Sequence, residues 1–151
     1  MNDIQLSEHF KLSEFTNSPT ASARHIDNTL SESNPQQAEI IANLRSLCEN
    51  VLEPLRQWYG KPIDISSGYR CPTLNRAAGG VATSQHMKGE AADLHLPSIA
   101  IGRQWIEHLL EYGLFDQLIW EHDKSGHYWI HVSFKRNGRN RQTYLPNLLK
   151  K

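Results

Sequence analysis

At 151 residues with 38% hydrophobic content, the chain is long enough to bury its own core and has the composition of one globular domain. Sixteen Lys and Arg balance sixteen Asp and Glu, which excludes a strongly cationic surface of the kind that binds nucleic acid through charge alone. No apolar run reaches the roughly 18 residues of a membrane-inserted helix, and Cys48 and Cys71 are too few for a disulfide framework.

The opening MNDIQLSEHFKLSEF lacks the basic-then-apolar order of a signal peptide, so cytoplasmic synthesis and reduced thiols are expected. Residues 1–34 are polar with Phe10, Leu12 and Phe15 as anchors. They read as an N-terminal arm packed on the domain, with Ser7 or Ser13 capping short helical turns. Residues 35–151 form the body of what reads as a single domain. Asn34 caps and Pro35 starts a helix whose Ile40, Ile41, Leu44, Leu47, Val51, Leu52 and Leu55 recur at helical spacing. Pro54 should kink it, and Gly60 should close it.

Residues 61–66 alternate as a strand that delivers Ser67-Gly68-Tyr69-Arg70, with a helical turn over 71–78 and a flexible turn at Gly79-Gly80. Residues 91–96 form a second strand, with Ala91, Asp93 and His95 on one face and Ala92, Leu94 and Leu96 on the other. Pro97-Ser98 opens a helix striped by Ile101, Trp105, Ile106, Leu109 and Leu110 and ended by Gly113. Residues 114–121 and 127–134 are strands joined by five residues containing Gly126, as in an antiparallel hairpin. Trp129, His131 and Ser133 share a face of the second, while Ile130, Val132 and Phe134 take the core. Trp58, Tyr59 and Trp105 read as core, and the basic stretch 135–151 as a solvated terminus.

The chemically dense stretch is Ser66 to Leu96. In it, Ser84-Gln85-His86-Met87-Lys88-Gly89-Glu90-Ala91-Ala92-Asp93 places a histidine and a carboxylate seven residues apart with a glycine turn between them. With His131 on a strand downstream, His86, Asp93 and His131 supply the three N/O ligands of a catalytic Zn2+ site that keeps one position open. Trp129, on the ligand face, can line the cleft and stack on sugar or peptide. His95 and His127 are candidates for orienting the ligands.

SGYR, SxHxxGxAxD and WIHVS together resemble the M15 zinc peptidases, which include D-alanyl-D-alanine carboxypeptidases and phage L-alanyl-D-glutamate endopeptidases. The architecture is shared by the Hedgehog signalling domain. The opening LSEHFKLSEFTNSPTA is similar to the arm of a phage and prophage, endolysin-like branch. The resemblance implies a hydrolase that cuts peptidoglycan stem peptides of the cell wall, as a D,D-carboxypeptidase or an L,D-endopeptidase, and that acts as a monomer after phage-type release. It implies zinc on His86, Asp93 and His131, with substrate contacts from Arg70 and Ser84. An arginine fork at a strand end can hold a carboxylate or the charge developing on a scissile carbonyl; the alternative is an Arg that bonds loop carbonyls. Many relatives carry an acidic residue three before the last histidine, where this chain has Tyr128. Glu121 is the candidate general base, by resemblance to the phage and Hedgehog placement; otherwise it is a solvated strand end, and Asp116 and Asp123 are poorer candidates. The expected fold is α+β, with a small, mostly antiparallel sheet, helices on one face and a zinc cleft on the other. The rival function is a non-catalytic, zinc-containing cell-wall or partner-binding domain on the same scaffold, and a weaker one a phage structural protein with a residual metal site.

Overall fold

A computed structural model describes residues 3–150. Short helices α1 (Leu12–Thr16) and α2 (Pro19–Ala23) form the arm. They are followed by α3 (Pro35–Leu47), a π-helical turn (Cys48–Leu52) and α4 (Glu53–Tyr59). Then come β1 (Ile65–Ser67), α5 (Pro72–Ala77), a 3₁₀ turn (Gln85–Lys88), β2 (Ala91–His95), α6 (Ile99–Tyr112), β3 (Gln117–His122), β4 (Tyr128–Ser133) and β5 (Thr143–Leu149).

The helical stretch starts as its caps require, with the Asn34 side chain accepting from the Gln36 and Gln37 amides, and ends on Gly60 at φ 77°. Pro54 takes effect through the π turn. The Glu53 amide reaches back to the Cys48 carbonyl, and the widened turn relieves the crowding that the proline ring would impose on an α-helix. The arm is anchored on this helix. Phe10, Leu12 and Phe15 sit in the same core as Leu44, Leu47 and Leu55. Buried Glu53 accepts from the Ser7 hydroxyl (2.9 Å) and the His9 amide (2.6 Å). Ser7 is thus a tether and not a cap. Ser13 bonds Asp3, and the N-cap position of α1 is held instead by Lys11, whose amide donates to Glu14 Oε2 at 2.7 Å.

The sheet has the order β1-β2-β4-β3-β5 and is mixed. Its first three pairings are antiparallel and β5 runs parallel to β3, correcting the expectation of a small, mostly antiparallel sheet. β5 comes from the stretch read as a solvated terminus. It lies on a sheet edge, where Pro146 is tolerated, and most of its side chains are exposed, so it carries little strand-like hydrophobic alternation. Two smaller expectations also change. Trp58 lies outside the core, half-exposed and stacked on His108 at 4.1 Å, and Leu110 is exposed because it falls off the buried stripe of Trp105, Ile106 and Leu109. The core face of the sheet carries Ala92, Leu94, Leu118, Trp120, Ile130 and Val132 and joins the helices in one cluster.

Asp116 pins the loop before β5. It is fully buried and accepts from the Arg141 amide (2.9 Å), Arg141 Nε (3.0 Å) and Arg141 Nη2 (2.7 Å). Burial works against its ionisation, but the Arg141 bonds outweigh it and bring the carboxyl down to about 2, against 3.8 for an ordinary aspartate. A depressed folded pKa gives stability that is present above about pH 4 and lost as pH falls towards 2. Asp116→Asn should therefore cost about 1–2 kcal/mol at neutral pH, allowing for screening of the half-exposed Arg141. It should also flatten the acid limb of Tm against pH between 4 and 2. Superimposable acid limbs for wild type and variant would show that this contact carries no such stability.

Candidate metal centre

Asp93 on β2 faces His131 on β4 in direct register, so both side chains leave the same face of adjacent strands. His86 arrives from the 3₁₀ turn. Ser84 caps that turn by accepting from the His86 amide (3.2 Å), and Gly89 ends it at φ 73°. A Cβ on Gly89 would lie 2.6 Å from the Ile40 carbonyl oxygen, so both conformation and space require glycine there. The backbone bonds Arg70 N–H to His86 O (3.1 Å) and Phe134 N–H to Glu90 O (2.8 Å) hold the turn against the sheet.

The three side chains converge and are buried. Asp93 Oδ1 lies 3.3 Å from His86 Nε2 and 3.0 Å from His131 Nδ1, and one ligating atom from each residue falls within a mutual 4.8 Å. Bonds of about 2.1 Å to a tetrahedral ion imply donor separations of roughly 3.4 Å, so these donors fit zinc with little movement. The His86 tautomer is fixed as well. Its Nδ1 meets the Gly68 carbonyl at 2.7 Å, and since a carbonyl only accepts, Nδ1 carries the proton and Nε2 presents its lone pair to the group. Burial pushes the His86 pKa down against the pull of Asp93, favouring the neutral ligand form. Burial also opposes ionisation of Asp93, but the two imidazoles beside it prevail and hold its carboxyl well below the usual range.

Glu121 stands next to this group. It is 3% exposed, with Oε1 3.7 Å from His131 Nδ1 and accepting from Trp129 Nε1 at 3.2 Å. Burial first and the Asp93 charge second raise its pKa, opposed by His131, Lys150 and the Trp129 bond. A cleft of about 330 Å³ opens over these residues, lined by His86, Glu121, His131, Ser84, Arg141 and Lys150 among others. A sequence model described as Peptidase M15 matches residues 8–133, which take in most of the arm, the His/Asp/His group and Glu121. The chain belongs to the M15 peptidase family. No curated protein matches it.

M15 membership makes the chain a metallopeptidase-type hydrolase, and M15 peptidases are generally zinc-dependent, in keeping with a donor set that can hold such an ion. Other residues singled out in the sequence fall differently. Arg70 is 7% exposed and sits behind the metal group, its Nε on Ser67 Oγ (3.1 Å) and Nη2 on Asp93 Oδ2 (3.4 Å). Ser84 both caps the turn and lines the cleft. Trp129 is half-buried and spends its N–H on Glu121. His95 is exposed and His127 packs on Trp129 at 5.6 Å; the group that orients His86 is the Gly68 carbonyl. Arg141, Leu148 and Lys150 reach the cleft from the strand-bearing C-terminal stretch, beyond the residues the family model matches. A larger hollow of about 920 Å³ lies between the arm and β1, lined by residues such as Glu14, Asp27 and Ser66. Of the two, only the smaller cleft is lined by His86 and His131 of the converging group, with Glu121 beside them.

Proposed function

We propose that this M15 chain is a zinc peptidase that hydrolyses peptidoglycan stem peptides, with Zn2+ on His86, Asp93 and His131 and with Glu121 as general base. The observation that carries the reading is a buried carboxylate of raised pKa, Glu121, held at the metal group by a tryptophan N–H. Zinc in such a site supplies Lewis-acid polarisation of the scissile carbonyl and acidification of a water. The chain's own residues do the rest. Glu121 accepts a proton from the attacking water and returns it to the leaving amine, and its raised pKa brings it closer to working pH for both transfers. The Trp129 bond to Oε1 restrains the carboxylate and leaves Oε2 to accept. Arg70 acts through Asp93 as a positioning residue, its Nη2 on Oδ2 leaving Oδ1 directed at both imidazoles. Ser84, at the cleft wall, is placed for a substrate contact.

Residues 1–34 belong in this reading to one domain with 35–151, supported by the arm's share of the core, and the enzyme acts as a monomer at the cell wall after phage-type release. Among the described residues no helix is long and apolar enough to cross a membrane. Digestion of purified peptidoglycan with and without a chelator, followed by mass analysis of the fragments, tests the function. Chelator-sensitive release is expected, and free D-alanine would mark a carboxypeptidase whereas internal cleavage would mark an endopeptidase. An inert wild type that still binds stem peptides and zinc would instead establish the non-catalytic binding domain.

A further inference from the structure

β5 brings the chain back beside the metal group after the region the family model matches. In the parallel register Leu145 stands opposite Ile119 and Leu148 opposite Glu121, which puts both leucines beside the ligand face, each 38% exposed. The Lys150 amide donates to the His122 carbonyl at 2.7 Å, fixing its backbone one residue past Glu121. Lys150 lines the cleft together with Glu121, His131, Ile119 and Leu148.

The cations near the centre differ in what they face. Arg70 is buried against Asp93, and Arg141 is committed to Asp116 through two bonds from its guanidinium. Among the described residues Lys150 makes no ion pair, although it opens onto the cleft. An ammonium on a flexible stem accepts a carboxylate over a range of approach angles, which suits a ligand bound in an open cleft. Ile119 and Leu148 beside it offer an aliphatic wall to a small side chain. We propose that Lys150 is a specificity determinant that receives a substrate carboxylate, so that the cleft selects acidic stem peptides over their amidated counterparts. The inference rests on the peptidase reading above for the identity of the ligand.

The test pairs a synthetic stem tetrapeptide bearing free carboxylates with the same peptide amidated, using the zinc-loaded full chain. A charge-assisted contact predicts a kcat/KM ratio of about tenfold in favour of the acid. In Lys150→Met the ratio should collapse to about one, in Lys150→Arg most of it should return, and zinc content should stay at the wild-type level in both. Binding of both peptides to Glu121→Gln and to Glu121→Gln/Lys150→Met, followed calorimetrically, gives the same comparison without turnover. A lost preference in binding alongside an inert wild type would keep the Lys150 assignment and remove the peptidase reading. An unchanged ratio in Lys150→Met, an equal loss on both peptides, or no binding of either peptide would overturn the assignment.

Discussion

Asp93→Ala should release the zinc and destabilise the fold together. The carboxylate lies against His86, His131 and Arg70 at once, so its removal takes away one proposed ligand and leaves the Arg70 guanidinium buried beside only Ser67 and a long contact to Asn75. Removing one partner of a buried ion pair costs about 3–5 kcal/mol, which for a chain of this size lowers Tm by roughly 10–20 °C. Bound zinc should fall from near one per chain to a trace. Metal analysis reads the first effect, and thermal unfolding in chelator reads the second without the contribution of metal binding. Asp93→Asn, which keeps the shape and one acceptor oxygen, should recover part of the stability and little of the zinc. Full zinc occupancy in Asp93→Ala would remove Asp93 from the ligand set, and an unchanged Tm in chelator would mean that Arg70 finds water.

The convergence of His86, Asp93 and His131 was legible because it is written in local periods. Asp93 and His131 each alternate with core residues along a strand, so their outward direction follows from Ala92, Leu94, Ile130 and Val132, and the glycine between His86 and Asp93 announces the turn that brings them together. The helix from Pro35 to Gly60 was legible for the same reason, through its caps and its apolar stripe. What escaped depends on distant partners. β5 has no hairpin turn to pair it and carries Pro146; it pairs in parallel with the edge of β3 opposite to β4, although β4 comes between them in the chain, which local alternation does not encode. The direction taken by Arg70 is set by Asp93, Ser67 and Asn75, none of which marks it in the sequence as facing inward. Trp129 shares the ligand face as its period requires, yet its role is decided by a cross-strand partner, Glu121, directly opposite it.

That pair sets up the sharpest separation between an enzyme and a binding module. Glu121→Gln preserves size and can still accept from Trp129 through its carbonyl oxygen, so the cleft and the donor group should be undisturbed. It cannot take up a proton. Zinc content should therefore remain at the wild-type level and peptide affinity should change little, while turnover of stem peptides should fall by about 10² to 10⁴-fold, the usual worth of a positioned proton transfer. The neutral amide also ends the like-charge pressure that Asp93 exerts on Glu121, so any change in stability should be small or favourable. Single-turnover hydrolysis with matched metal analysis decides the matter. Wild-type rates in Glu121→Gln would move the base elsewhere, with His127 and Asp123 next to be replaced. Loss of zinc together with turnover would make Glu121 part of the metal site itself, adding a second carboxylate to the donors of His86, Asp93 and His131.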